Sequence, residues 1–215
     1  MIGYKLTDAN DCTTRNCQWG EGVTHEAPGT GALCTAGWIH LYESPLLAVL
    51  HDAAHGNFGS TAHLWEVDYG GEVKRDGQIK LGASRVTTVR RIDPPVVTAA
   101  QQTRYAIACG AAGYSEPRWL TWANGWLVGA ECRASAAWTA SRLARSVEEA
   151  RSPAARSAEA AALSAEAAAL SAEAATWSVE AAALSAEAGA SPNLRALAEW
   201  AMSSSTELPE REVAT

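Results

Sequence analysis

The sequence predicts an α+β fold: a small N-terminal mixed sheet module with one or two helices, then a helical layer, then a long Ala-rich, coiled-coil-like helix. Three observations carry this. Residues 1–95 hold short alternating runs separated by turn residues. Residues 96–151 switch to helix caps and helical spacing. Residues 157–188 repeat every seven positions. The expected organisation is an α+β module over 1–95, a helical layer and connecting helix over 96–151, a heptad helix over 152–190, and a short helix with a flexible acidic tail over 191–215.

In the first module Ile2–Leu6 is the opening strand, ended by the turn-rich Asp8-Ala9-Asn10-Asp11. Trp38–Tyr42 is a second strand. Ser44 followed by Pro45 starts a helix, because serine accepts from a free backbone N–H and proline in the first turn forfeits no hydrogen bond. Leu46, Leu47, Val49 and Leu50 give it an apolar face and Gly56 stops it. Ala62–Tyr69 alternates, with His63, Trp65, Val67 and Tyr69 on one face. Gly70-Gly71 marks a turn, Gln78–Leu81 and Arg85–Ile92 are closing strands, and Asp93-Pro94-Pro95 ends the module.

Thr98 caps a helix over Ala99–Ala112, and Ser115-Glu116-Pro117 starts another to about Val128. A third runs from Ala130 to about Arg151. Trp119, Trp122 and Trp126 share one helical face. Such a stripe packs on the sheet module or forms an exposed surface for a partner.

The unit Ser-Ala-Glu-Ala-Ala-Ala-Leu then recurs. Leu163, Leu170, Trp177 and Leu184 lie seven apart, each preceded by three positions by Ala160, Ala167, Ala174 and Ala181. This is a heptad seam with Ala at a and Leu or Trp at d, on a helix about 54 Å long for roughly 36 residues. A few large apolar side chains cannot hold an isolated helix, so the ridge must be covered, by another copy of the chain or by the preceding helix. Self-association is the favoured reading, making the chain its own partner. Glu159, Glu166, Glu173, Glu180 and Glu187 form an acidic ridge beside the seam.

Composition narrows function by exclusion. The 215 residues carry a net charge of −7, which excludes a non-specific binder of duplex nucleic acid. No stretch is apolar for about 18 residues, and Met1–Lys5 lacks a basic run followed by an apolar one, so no membrane partner or export signal is expected. Five cysteines without such a signal read as free thiols in the cytoplasm. His51 and His55 are four apart, a spacing that can chelate a metal, with His63 as the other weak candidate ligand. There is no glycine-rich phosphate loop and no nucleophile elbow, and no cofactor is expected.

Two resemblances add to this. Gly37-Trp38-Ile39-His40-Leu41-Tyr42-Glu43-Ser44-Pro45 resembles a strand of ADP-ribosyltransferase-like folds. That implies a nucleotide-binding or transferase module with His40, Tyr42, Tyr4 and Glu66 as candidate catalytic residues. The late-strand glutamate of those folds has no counterpart between Leu81 and Ile92. More broadly, Gln18–His25, Gly37–Pro45, Leu64–Val67 and Thr87–Ile92, followed by an Ala/Ser/Glu tail, are similar to uncharacterised accessory proteins of phages and prophages. This implies a non-enzymatic protein in a bacterial cytoplasm that binds a host or defence protein, its affinity raised by oligomerisation, or else a virion assembly component.

Overall fold

Strand β1 (Ile2–Thr7) pairs antiparallel with β6 (His63–Asp76), and β6 with β7 (Lys80–Ile92), in a computed structural model that describes residues 1–146, 152–169, 180–185 and 193–209. These strands belong to the first of two units, Met1–Val96 and Val97–Thr215. The expected turn at Gly70-Gly71 is instead a bulge inside β6. The register shifts between Gly70 and Val73, and Gly71 has φ +74°, which glycine adopts without strain. The hairpin reverses later, at Gly77 (φ +52°), so the two short closing strands are one long strand. Gly-Gly serves a bulge as well as a turn, and only the pairing partner decides which.

Two short strands fill the other edge of β7. β4 (Thr24–Glu26) pairs with Thr87–Arg85 and β5 (Ile39–Leu41) with Ala83–Leu81. Past β5 the chain meets β1: Tyr4 N–H donates to Tyr42 O at 2.8 Å and Tyr42 N–H to Tyr4 O at 2.9 Å. The sheet therefore curls toward closure. Gly3 lies where the curl is tightest, since a Cβ there would overlap Leu41 and touch Tyr69. Trp19, Leu41, Trp65, Val67, Tyr69, Leu81, Ala83 and Val86 fill the interior. A hairpin of β2 (Cys12–Thr13) and β3 (Cys17–Gln18) stands beside it.

Pro45 does start helix α1 (Pro45–Leu50), with Leu47, Ala48 and Leu50 buried, but the Ser44 side chain makes no capping bond. The helix breaks at His51, and α2 (Asp52–His55) ends at Gly56.

The second unit is helical: α3 (Ala99–Gly113), α4 (Pro117–Leu127), α5 (Ala134–Ser146), α6 (Pro153–Ala169), helical residues 180–185, and α7 (Leu194–Met202). Thr98 and Gln101 form a reciprocal capping box on α3. On α4 the cap is Glu116, whose carboxylate accepts from Trp119 N–H at 2.7 Å. Among the described residues, no helix is long and apolar enough to cross a membrane.

The repeat is helical where described, but not as one straight rod. Ser157 Oγ donates to Ala181 O at 2.7 Å, whereas one straight helix would hold those residues about 36 Å apart. The ridge residues Ala160, Ala167, Ala181 and Leu184 are buried within the chain itself, and Leu163 is half-buried. Leu170, Ala174 and Trp177 lie outside the described residues. The sequence offers these positions to a second copy, but at the described ones that surface is already taken up by this chain. The reason is that nearly every face of α6 is small. Ser157, Ala158, Ala161, Ser164 and Ala165 are all buried, so α6 packs on α3 and α5 at once. At Gly110 on α3 a Cβ would stand 3.3 Å from Ala158 Cα, and Thr103 Oγ1 lies 3.2 Å from Ser164 Oγ. Helices this close leave no room for a uniform leucine seam. Among the described glutamates of the acidic ridge, Glu159 is paired, its Oε1 2.8 Å from Arg145 Nε.

Candidate functional site

Lys5 is 8 % exposed in β1, and its pairing opposite Trp65 turns it to the core face of the sheet. Its ammonium donates to His40 O at 3.0 Å and lies 4.9 Å from the centroid of the Trp19 ring. Among the described residues no carboxylate forms an ion pair with it. Burial lowers its pKa to about 8, with the Cys17 thiol acting weakly the other way.

Four elements meet around this ammonium. The β2–β3 hairpin brings Thr13 and Thr14, and Thr13 Oγ1 accepts from Trp19 Nε1 at 3.0 Å. Strand β5 brings His40, whose Nε2 meets Leu33 O at 2.5 Å. Desolvation first, then Lys80 and Lys5, push the His40 pKa down, so the ring is neutral. A nitrogen facing a carbonyl must carry the proton, so Nδ1 of His40 holds the lone pair.

Tyr42 OH lies 2.7 Å from His55 Nδ1. Burial and then Asp52 raise the phenol's pKa, so Tyr42 stays protonated and donates. His55 is pushed down to about 4, by desolvation and then by Lys80 and His40. A neutral His55 that accepts at Nδ1 carries its proton on Nε2. Both oxygens of Asp52 are engaged, Oδ1 with Phe58 N–H at 3.1 Å and Oδ2 with Gly59 N–H at 2.9 Å.

These groups line a cleft with two lobes. A small lobe of about 100 Å³ is walled by Tyr42, Asp52, His55 and Phe58. A larger lobe of about 470 Å³ is walled by Cys17, Trp19, His25, Cys34, Trp38 and Ile39. Lys5, Thr13, Thr14 and His40 line both and form the waist.

The expected catalytic quartet is divided. His40 and Tyr42 reach the small lobe. Tyr4 contributes only its backbone to Tyr42, and Glu66 ion-pairs with Arg90 at 2.9 Å; neither side chain lines a lobe. The expected metal set does not assemble either. His51 is fully buried with its ring 6.1 Å from that of His55, while His63 binds Asp11 Oδ1 at 2.7 Å. Among the described residues no three His, Cys, Asp or Glu side chains are grouped to hold a metal ion. In the second unit Trp119 is not a partner surface. It is fully buried, donates to Ala158 O at 3.1 Å and packs edge-on with Trp122, while Trp122 and Trp126 are half-buried. The sequence reading missed Lys5, Thr13, Thr14 and Trp19. A lysine inside a short alternating strand was the one available signal.

His51 makes a pH prediction. Burial lowers its pKa to about 3, with a backbone hydrogen bond to Ile79 opposing. The unfolded chain takes up that proton near pH 6.5, the folded one not until about pH 3. Stability is therefore unaffected above pH 6.5 and falls as pH drops from 6.5 toward 3. Urea unfolding at pH 7, 5 and 4 is expected to show this loss, and His51→Met to flatten it. An unchanged slope in the variant refutes the assignment.

No curated protein and no solved structure matches the chain. Residues 1–100, which contain every residue of the cleft, are similar to one family, DUF7666, a domain of unknown function.

Proposed function

We propose that the N-terminal unit is a binding module for a small anionic ligand, held at Lys5. One observation carries the reading: Lys5, a buried lysine whose ammonium has no carboxylate partner among the described residues, lines both lobes of the cleft. An unpaired buried charge destabilises a fold, and a ligand of opposite sign removes that penalty. The surrounding groups point the same way. Thr13 and Thr14 offer hydroxyls, His55 offers Nε2–H, and the one carboxylate of the small lobe has both oxygens occupied. Binding is favoured over catalysis because burial holds the Tyr42 phenol, which donates to His55, well above its ordinary pKa and so unactivated as a nucleophile.

The test is a calorimetric and NMR titration of the full chain with inorganic phosphate. Saturable binding is expected, with perturbed His40 and His55 ring signals, and a loss of at least ten-fold in Lys5→Met. Equal binding by the variant, or none by the wild type, rejects the reading.

A further inference from the structure

The two lobes differ in size and in remaining hydrogen-bond capacity, and that difference identifies more than a charge. The small lobe, about 100 Å³, has room for roughly three waters, the bulk of one phosphate group. Its lining residues have donors to spare: the hydrogens of Lys5 Nζ not used on His40 O, the Thr14 hydroxyl, and His55 Nε2–H. Asp52 lines the same lobe, but its oxygens already accept two backbone N–H groups.

The larger lobe, about 470 Å³, lies within the range of roughly 300–1,000 Å³ common for small-molecule sites. Both of its tryptophans and one nitrogen of His25 already use their polar atoms inside the protein. Trp19 Nε1 donates to Thr13 Oγ1, Trp38 Nε1 donates to Gly31 O at 3.3 Å, and His25 Nε2 lies 2.8 Å from Gln18 O. More of the exposed wall is apolar than polar, Ile39 included, and such a wall suits a planar ring better than a polyol. Each lobe holds a carboxylate, Glu26 in the larger and Asp52 in the smaller; the two backbone N–H groups that donate to Asp52 offset part of its charge and direct the anionic end to the small lobe.

We propose that the ligand is a phosphate monoester bearing a planar ring, of about mononucleotide size, with its phosphate in the small lobe against Lys5, Thr14 and His55 and its ring in the larger lobe beside Trp19 and Trp38. This rests on the anion-binding reading above and adds the ligand's class and orientation. No bond is made or broken.

The experiment titrates the full chain with adenosine 5′-monophosphate, uridine 5′-monophosphate, ribose 5-phosphate, adenosine and inorganic phosphate. At least one nucleotide is expected to bind ten-fold or more tighter than ribose 5-phosphate and phosphate, with adenosine alone not binding, and to change tryptophan emission. Trp38→Leu is expected to remove the advantage of the nucleotide while leaving phosphate binding. Because Trp38 is largely buried, the exposed Thr14→Val gives a second arm, in which phosphate and nucleotide weaken together by several-fold. If phosphate binds through Lys5 but the ring adds nothing, the present inference fails and anion binding stands. If adenosine binds as well as its monophosphate, the orientation is wrong. If nothing binds, both readings fall.

Discussion

Replacing Lys5 by Met is expected to make the protein more stable at pH 7, by about 2 kcal/mol, while removing anion binding. Holding the ammonium in its buried site moves its pKa from 10.5 to about 8, a penalty of about 3 kcal/mol at 1.36 kcal/mol per unit. Methionine preserves most of the volume and apolar contact but gives up the hydrogen bond to His40 O, which returns about 1 kcal/mol. The direction with pH follows from proton uptake. Below pH 8 both folded and unfolded chains carry the charge and the full penalty is present. Between pH 8 and 10.5 the folded chain sheds the proton first, so wild-type stability climbs. Above 10.5 no penalty remains. Urea unfolding of the full chain at pH 7 and pH 10 should show that climb in the wild type and not in Lys5→Met. A variant less stable than wild type at both pH values would mean that the lysine holds the fold together, and the argument for a missing counter-charge would fail. A residue that weakens the fold and strengthens binding is what a functional site contains when stability and function compete.

Gly37→Ala is expected to lose about 3 kcal/mol and to weaken binding at the waist. A Cβ on Gly37 would fall on the backbone carbonyl oxygen of Thr30, and backbone cannot swing aside as a flexible side chain would. That segment folds on itself: Gly29 N–H donates to Gly37 O at 2.8 Å, Thr35 Oγ1 to Ala32 O at 2.7 Å, and Trp38 Nε1 to Gly31 O. It also supplies Leu33 O, the carbonyl that fixes the His40 ring. Opening it shifts His40 and Trp38 together. The urea midpoint and the His40 ring signals report the two consequences. Gly20→Ala is the control, since a Cβ there meets only a Val23 methyl at 3.5 Å and little change is expected. Equal stability of the two variants would show that the 29–38 segment relaxes freely.

Parts of this protein were legible from its residues because they depend on near neighbours. The capping box at Thr98, the helix start at Pro45, the alternation of Trp65, Val67 and Tyr69 and the change from sheet to helix after Pro95 are all local. The misreadings share one cause. Gly70-Gly71 reads as a turn until β7 is laid beside it. The Ala-rich repeat reads as a seam that must be covered, and its described positions are covered by this chain's own helices. Tyr4 and Glu66 pair with each other in the sheet, yet their side chains stay out of the cleft.

The cleft was partly visible. His40 and Tyr42 stood out as polar residues of a strand entering a helix, whereas Lys5 did not, because one lysine in the short strand Ile2–Leu6 carries no sign of which face is covered. In the structure Ile2 is 55 % exposed and Lys5 8 %. By itself, the order of residues determined the α+β class and several element starts, since those follow from backbone preference and side-chain period over a few residues. Which face of β1 is covered, and so whether a lysine is left buried without a counter-charge, was decided only when β5 curled round to meet Tyr4. That contact joins residues 38 positions apart, and its free energy is set by packing that no short window of sequence contains.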